Sequence, residues 1–344
     1  MSVNKNQVIN STSTRADMLA HMGSLQQAAY VRPIEYQEGR AHGLKAIEVK
    51  NGPLRFVSMA DRALDICQFE YRGENLTFLS KPGLNGRNQF DTNGLEAQRS
   101  IMGGLFFTCG FENICAPYAT PEGGKYPAGS FPMHGRIRTT PAEHVGSDAH
   151  WTAEGDYVLE VSGEMREAEL FGENLVMRRR ITSVYGQPSI TVEDEVTNES
   201  FRDEPLMWMY HCNFGWPLLA EGAEVVIPSR KATPRDETTA ADTTPWNENK
   251  HPRRTAPKAC TCTSSPPTRT AAASPPWSTA SSGLAWSSTS TPASSHISWN
   301  GSRWGRATTW SASNPRTPAS TAAAGTSSAA TCTPSPRRPA NASP

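Results

Sequence analysis

From Arg253 to Pro344 the chain contains no aspartate, glutamate, glutamine, valine, phenylalanine, tyrosine or methionine, and one leucine (Leu284) and one isoleucine (Ile297) remain. Such a segment lacks the aliphatic surface whose burial offsets the entropy of ordering a chain. Residues 253–344 are therefore expected to form a disordered, low-complexity Ser/Thr/Pro/Ala/Arg-rich tail. The overall balance of 33 basic and 33 acidic residues hides this division. The first 252 residues hold 24 basic and all 33 acidic residues, a net charge of −9, and the tail carries +9. The average describes neither part.

Other absences narrow the function. No apolar run is long enough to span a bilayer, and the N-terminal MSVNKNQVINSTSTRADMLAHMG has no apolar core of signal-peptide length, so a cytoplasmic location and no membrane partner are expected. Seven cysteines, an odd number at irregular spacing, suit reduced thiols. Cys260-Thr261-Cys262 has no second ligand pair, so no metal is expected. The glycine pairs at 103–104 and 123–124 lack phosphate-loop spacing and open no helix, so no nucleotide cofactor is expected. The tail's arginines are sparse and mostly isolated, a poor footprint for nucleic acid.

What is present before Arg253 reads as β-structure. Residues 1–30 form a polar arm with a weakly amphipathic piece from Asp17 to Tyr30. From Leu44 the period becomes two: LKAIEVKN, LRFVSMA and LDICQFEYRG alternate apolar and polar residues, with Asn51-Gly52 and Gly73-Glu74-Asn75 as turns. HWTAEGDYVLEVSGEMRE, NLVMRRRITSVYG and PSITVEDEVTNES follow, with a hairpin around Tyr185-Gly186-Gln187-Pro188. Clean alternation in ITVEDEVTN implies antiparallel strands with one wet face. In Arg178-Arg179-Arg180, adjacent side chains point to opposite sides, so a solvated face with one inward exception is expected. Residues 31–252 are thus expected to be an all-β sandwich.

The stretch Met207-Trp208-Met209-Tyr210-His211-Cys212-Asn213-Phe214-Gly215 is apolar enough for a buried strand, yet it carries an imidazole and an amide that must meet partners or a ligand. His211 is either a core histidine bonded to a backbone carbonyl or a group at a site. His134, after a Pro/Gly-rich loop, is either a turn histidine on the surface or its counterpart. Two convergent imidazoles suit proton transfer, because histidine titrates near pH ~6.5. His21, His42, His144 and His150 lie in polar contexts. Arg62 and Asp65 either bracket a polyol or form a surface ion pair. Glu112 and Asn113, and Asp236 and Glu237, face the same alternatives. Cys109, Cys115 and Cys212 sit among apolar neighbours, which favours inert core thiols over nucleophiles.

The motifs RALDI, GGLFFTCGFEN, HGRI and YHCNFGWPLL followed by PRDE resemble, in that order, the aldose 1-epimerase-like family of unassigned function within the galactose mutarotase-like superfamily. The resemblance covers roughly residues 15–246. It implies a β-supersandwich, incomplete here, that binds a small-molecule sugar and needs no cofactor. It also implies that His211 is the general acid, that His134 hydrogen-bonds the sugar, and that Arg62, Asp65, Asn113, Arg136 and Asp236 hold hydroxyls. Mutarotases use a glutamate from the C-terminal third as the base, and residues 253–344 contain no carboxylate side chain. A non-catalytic sugar-binding sandwich is the alternative.

Three origins compete for the tail: a basic arm, a glycosylated Ser/Thr/Pro stalk, or coding sequence read in a shifted frame. GC-rich codons read one base off give mainly Ala, Arg, Pro, Ser, Thr and Gly with stray Trp and Cys, and a sharp loss of all acidic residues fits that origin best. Translating the other frames from about codon 250 should return strand-like text containing carboxylates. Finding none there would discard the frame-shift explanation.

Overall fold

The computed structural model describes residues 14–86, 94–114, 116–120, 129–204 and 206–221, with short pieces beyond at 223, 231–234, 237–241, 245, 247, 261–264, 285–291 and 294–300. Its strands in chain order are β1 (Tyr30–Glu35), β2 (Lys45–Lys50), β3 (Leu54–Met59), β4 (Asp65–Tyr71), β5 (Glu74–Asn75), β6 (Phe106–Phe111), β7 (Tyr118–Thr120), β8 (Gly129–Phe131) and β9 (Glu143–Trp151). There follow β10 (Tyr157–Ala168), β11 (Asn174–Val184), β12 (Ser189–Asn198), β13 (Met207–Cys212), β14 (Lys231–Pro234), β15 (Thr261–Ser264), β16 (Ala285–Thr291) and β17 (Ser294–Asn300).

Two antiparallel sheets result. One has seven strands in the order β1-β2-β3-β4-β6-β13, with β5 on β4; the other has six, in the order β16-β17-β12-β11-β10-β9. The expected all-β sandwich is what forms. Its main core lies between the sheets, where Leu54, Phe56, Phe69 and Phe106 meet Leu159, Val161, Met165, Met177 and Ile181. A second, smaller core of Leu44, Ala46, Val57, Met59, Cys67 and Met102 covers the other face of the seven-stranded sheet. That sheet is therefore apolar on both sides, which explains near-continuous burial in β3, β4 and β6. The six-stranded sheet keeps a wet face, laced by Arg180–Glu160 (2.6 Å) and Arg178–Glu164 (3.1 Å) pairs.

Local chemistry sets the boundaries. The amphipathic N-terminal piece becomes a helix, α1 (Arg15–His21), earlier than the Asp17–Tyr30 span expected. Thr14 and Asp17 form a capping box that fixes its start, and Met18 drops into the main core. At the Asn51-Gly52 turn, Asn51 bridges the sheets, its Nδ2 donating to Ser183 Oγ at 2.6 Å and to the Gln187 carbonyl at 2.8 Å. Residues 76–79 make only two isolated bridges, Thr77 to Phe214 and Leu79 to Gly103. Beyond residue 252, β15 pairs with β14, and β16 and β17 extend the six-stranded sheet from β12. Backbone pairing of this kind needs no apolar side chains. The other residues of 253–344 lie outside the described residues.

Arg179 is the inward exception among the three consecutive arginines, with its side chain fully buried. Nε and Nη2 donate to the two oxygens of Asp194, each at 2.7 Å. Nη1 donates to Asp65 Oδ1 at 2.9 Å and to the Ala63 carbonyl at 2.8 Å, and Nη2 reaches Thr108 Oγ1 at 2.8 Å. Tyr210 Oη closes the network by donating to Asp194 at 2.7 Å. One guanidinium thus ties β11 and β12 to β4, β6 and β13. Burial pushes the Asp65 carboxyl up to about 6, with Arg179 and Thr108 pulling the other way.

Glu167, near the end of β10, is 4% exposed. Burial, then the charges of Glu112 and Glu173, push its carboxyl well above the usual carboxylate range.

Two outcomes follow. Arg179→Met should cost about 3–5 kcal/mol in urea unfolding, because two buried carboxylates lose their counter-charge; adding Asp65→Asn and Asp194→Asn should recover part of that loss. A small cost for Arg179→Met alone would contradict this account. For Glu167, folding above pH 4.5, where the unfolded carboxyl ionises, requires uptake of a proton. Stability should therefore fall as pH rises from 4.5 toward the folded value, and Glu167→Gln should stabilise by an amount that grows across that window. Denaturant midpoints of both proteins at pH 5 and pH 8 measure it.

Candidate active site

Pairing between β13 and β6 builds the site. Tyr210 lies opposite Thr108, and both reach the core network; His211 lies opposite Phe107, so strict alternation sends this pair to the other face of the sheet. The Phe107 and His211 rings stack, with centroids 4.5 Å apart and planes 16° from parallel. Next to them the chain returns through the turn Pro132-Met133-His134-Gly135, closed by the Gly135 amide donating to the Pro132 carbonyl at 3.1 Å. The His134 ring stands edge-on to both, 5.8 Å from Phe107 and 5.5 Å from His211. The two histidines are brought together from segments 77 positions apart in sequence.

His134 is held there against backbone preference. Its φ is +64°, a region that residues other than glycine seldom adopt, and Gly135 follows at +74°. A side chain at 135 would run into the Gly110 carbonyl, so only glycine lets this turn settle on β6. The Gly110 amide donates to the His134 carbonyl at 3.1 Å, locking turn to strand. His134 Nδ1 lies 2.8 Å from the Ile114 carbonyl. A carbonyl only accepts, so Nδ1 carries the proton, and in the neutral ring Nε2 presents a lone pair.

The other candidates fall in three places. Asn113, 7% exposed, donates its amide to the carbonyls of Ala116 (2.9 Å) and Pro132 (2.8 Å). It braces the His134 turn rather than presenting that amide to a ligand. Arg136 pairs with both oxygens of Glu112, which ties the turn to the end of β6. Arg62 and Asp65 form neither a surface pair nor a bracket. Asp65 turns into the core, where Thr108 N (3.0 Å), Thr108 Oγ1 (2.8 Å) and Arg179 occupy its oxygens. Arg62 turns the other way, donating to the carbonyls of Asn85 (3.3 Å) and Gly86 (3.1 Å). Asp236 lies outside the described residues. Cys212 adjoins His211 in sequence, but burial pushes its thiol up to about 12, as it does for Cys67, so neither is poised as a nucleophile.

Two further residues beside the imidazoles are not singled out by the sequence. Phe107 is known as the floor beneath the imidazoles only once the register is fixed. Arg138, 3% exposed, sits two residues beyond Arg136 and donates to the Met133 carbonyl and Ser100 Oγ, each at 3.3 Å. Among the described residues, no group of three or more metal-ligating side chains occurs, and no helix is long and apolar enough to cross a membrane.

Comparison with known proteins agrees with the fold. No curated protein matches the sequence. The structure is similar to a candidate aldose 1-epimerase from Klebsiella pneumoniae subsp. pneumoniae MGH 78578, with a TM-score of 0.57 at 21% identity over 64% of this chain and 57% of that one. A looser likeness, with a TM-score of 0.38 at 14% identity, links it to galactose 1-epimerase from Lactobacillus acidophilus NCFM over 61% of this chain and 60% of the other. The chain therefore spans less than two thirds of either protein. At 21% identity the first likeness speaks for the fold alone, a mutarotase-like sandwich. A family profile matches residues 41–272, more than half of the sequence, and on that ground the chain belongs to the DUF4432 family, a domain of unknown function.

Proposed function

We propose that the chain binds a free aldose against the His134–His211 pair and that its intact form interconverts the sugar's anomers. The observation that carries this reading is the edge-on approach of two imidazoles, 5.5 Å apart, over an aromatic floor. In its cationic form His211 donates a proton to the ring oxygen as the C1–O5 bond breaks. A base takes the proton of the C1 hydroxyl, which leaves an open-chain aldehyde. Rotation about C1–C2 and closure on the other face give the opposite anomer, and His211 recovers its proton. His134 accepts a sugar hydroxyl at Nε2, since its Nδ1 is engaged by Ile114. Histidine suits both roles because it exchanges protons near neutral pH.

The base is the missing half. The resemblance draws it from the C-terminal third, and residues 253–344 carry no carboxylate side chain. Loss of one of two proton-transfer partners forfeits about 10²–10⁴-fold in rate. The chain as given should thus bind sugar while hardly accelerating mutarotation, which makes it, in practice, the non-catalytic sugar binder.

Polarimetry or NMR of freshly dissolved α-aldoses measures this. A protein whose reading frame is restored beyond residue 252 should turn over about 10²–10⁴-fold faster than the given chain. His211→Asn in the restored protein should remove most of that gain, and His134→Asn should chiefly weaken binding. Failure of any aldose to bind, or full turnover in His211→Asn, would end the proposal.

A further inference from the structure

The stack of Phe107 on His211 distinguishes the two protonation states of the imidazole. The two residues lie opposite one another on β6 and β13, so the strand ladder itself sets their side chains side by side. Their rings are nearly parallel, with 4.5 Å between centroids and 16° between planes. Phe107 is 5% exposed, so water screens its face poorly. The face of a phenyl ring is the negative part of its quadrupole, and it attracts a cation lying over it within about 6 Å. A neutral imidazole gains ordinary stacking there, whereas an imidazolium gains the attraction of its charge to the face as well. A leucine at 107 would supply an apolar floor without favouring either state.

His134 is placed differently. Its ring is perpendicular to both others and farther from Phe107, at 5.8 Å. Two imidazolium ions 5.5 Å apart repel, so a proton held on His211 weakens the hold of His134 on a second one. We infer that Phe107 is a positioning residue that acts through His211: its face keeps the pair's first proton on His211 and leaves His134 neutral, the state in which Nε2 accepts. This deepens the aldose reading above, in which His211 is the acid and His134 the acceptor. Other charged groups flank the stack. Arg62, Arg138 and Asp65 line a small recess against Phe107, with Asp65 engaged by Arg179, and Arg136 pairs with Glu112 beside the His134 turn. A change confined to the phenyl ring leaves all of them in place, so what it alters belongs to the stack.

The test replaces Phe107 in the full chain by mono-, di- and trifluorophenylalanine, which withdraw charge from the face at nearly constant ring size. The imidazole resonances of His211 and His134, assigned by their loss in His211→Asn and His134→Asn, are followed by NMR as the pH is lowered, with no sugar present. His211 should take up its proton before His134. Its midpoint should fall stepwise along the fluorinated series, by about 0.4–1.5 pH units in all, while that of His134 does not fall. Phe107→Leu should lower the His211 midpoint in the same direction. A His211 midpoint indifferent to fluorination, or His134 protonating first, would overturn the inference. Because the titration contains no sugar, its failure removes this role of Phe107 alone, and failure of aldoses to bind removes the aldose reading alone.

Discussion

A single buried guanidinium sets the relation between the two sheets. Arg179 takes Asp194 with two parallel hydrogen bonds on its own sheet and reaches Asp65, Thr108 and the Ala63 carbonyl on the other. A charge in such a place is costly unless its donors are met, and here hydrogen bonds engage all three nitrogens. Apolar packing alone would tolerate a sheet slipped by two residues, since the same face would remain inward. The network does not tolerate it, because Thr108 and Tyr210 must arrive together at Arg179 and Asp194. Ion-pair geometry thus specifies a register that hydrophobicity leaves loose.

The site follows from that register by parity. With Thr108 and Tyr210 held inward, Phe107 and His211 must point outward and lie opposite one another. The stacked Phe107–His211 pair is in this sense the reverse side of the core network. His134 needs a second device, because it arrives on a loop. Its left-handed backbone is maintained by Asn113, by Gly135 and by the bond to Gly110. A strained conformation kept at such expense, with the ring aimed at a second imidazole, is what a preorganised site looks like.

Much of this was legible from residue order. Alternation in ITVEDEVTN and LRFVSMA gave the strands, Asn51-Gly52 marked a turn, and three successive arginines required one to point inward. The imidazoles stood out because each was expensive in its setting. What was hidden depended on registers and on long-range partners. Asp65 reads as a polar residue at a strand start, and nothing local says that its charge belongs to Arg179, 114 positions away. Asn113 looks like a ligand and serves as a brace, because the carbonyls it meets lie on a neighbouring loop. Arg138 is one more arginine after the His134 turn until the fold buries it against Ser100 and the Met133 carbonyl.

On the function proposed above, the distribution of carboxylates separates binding from turnover in this chain. Proton transfer at a sugar C1 needs an acid and a base on opposite sides of the reacting centre. The proposed acid side comprises residues 107, 134 and 211. Three carboxylates among its supports already have work: Asp65 and Asp194 neutralise Arg179, and Glu112 holds Arg136. Moving any of them to serve as the base would undo the network that aims His211 or the turn that carries His134. A base must therefore come from outside this set. The resemblance draws it from the C-terminal third, most of which, residues 253–344, has no acidic residue, so a pocket can be complete as a receptor while incomplete as a catalyst.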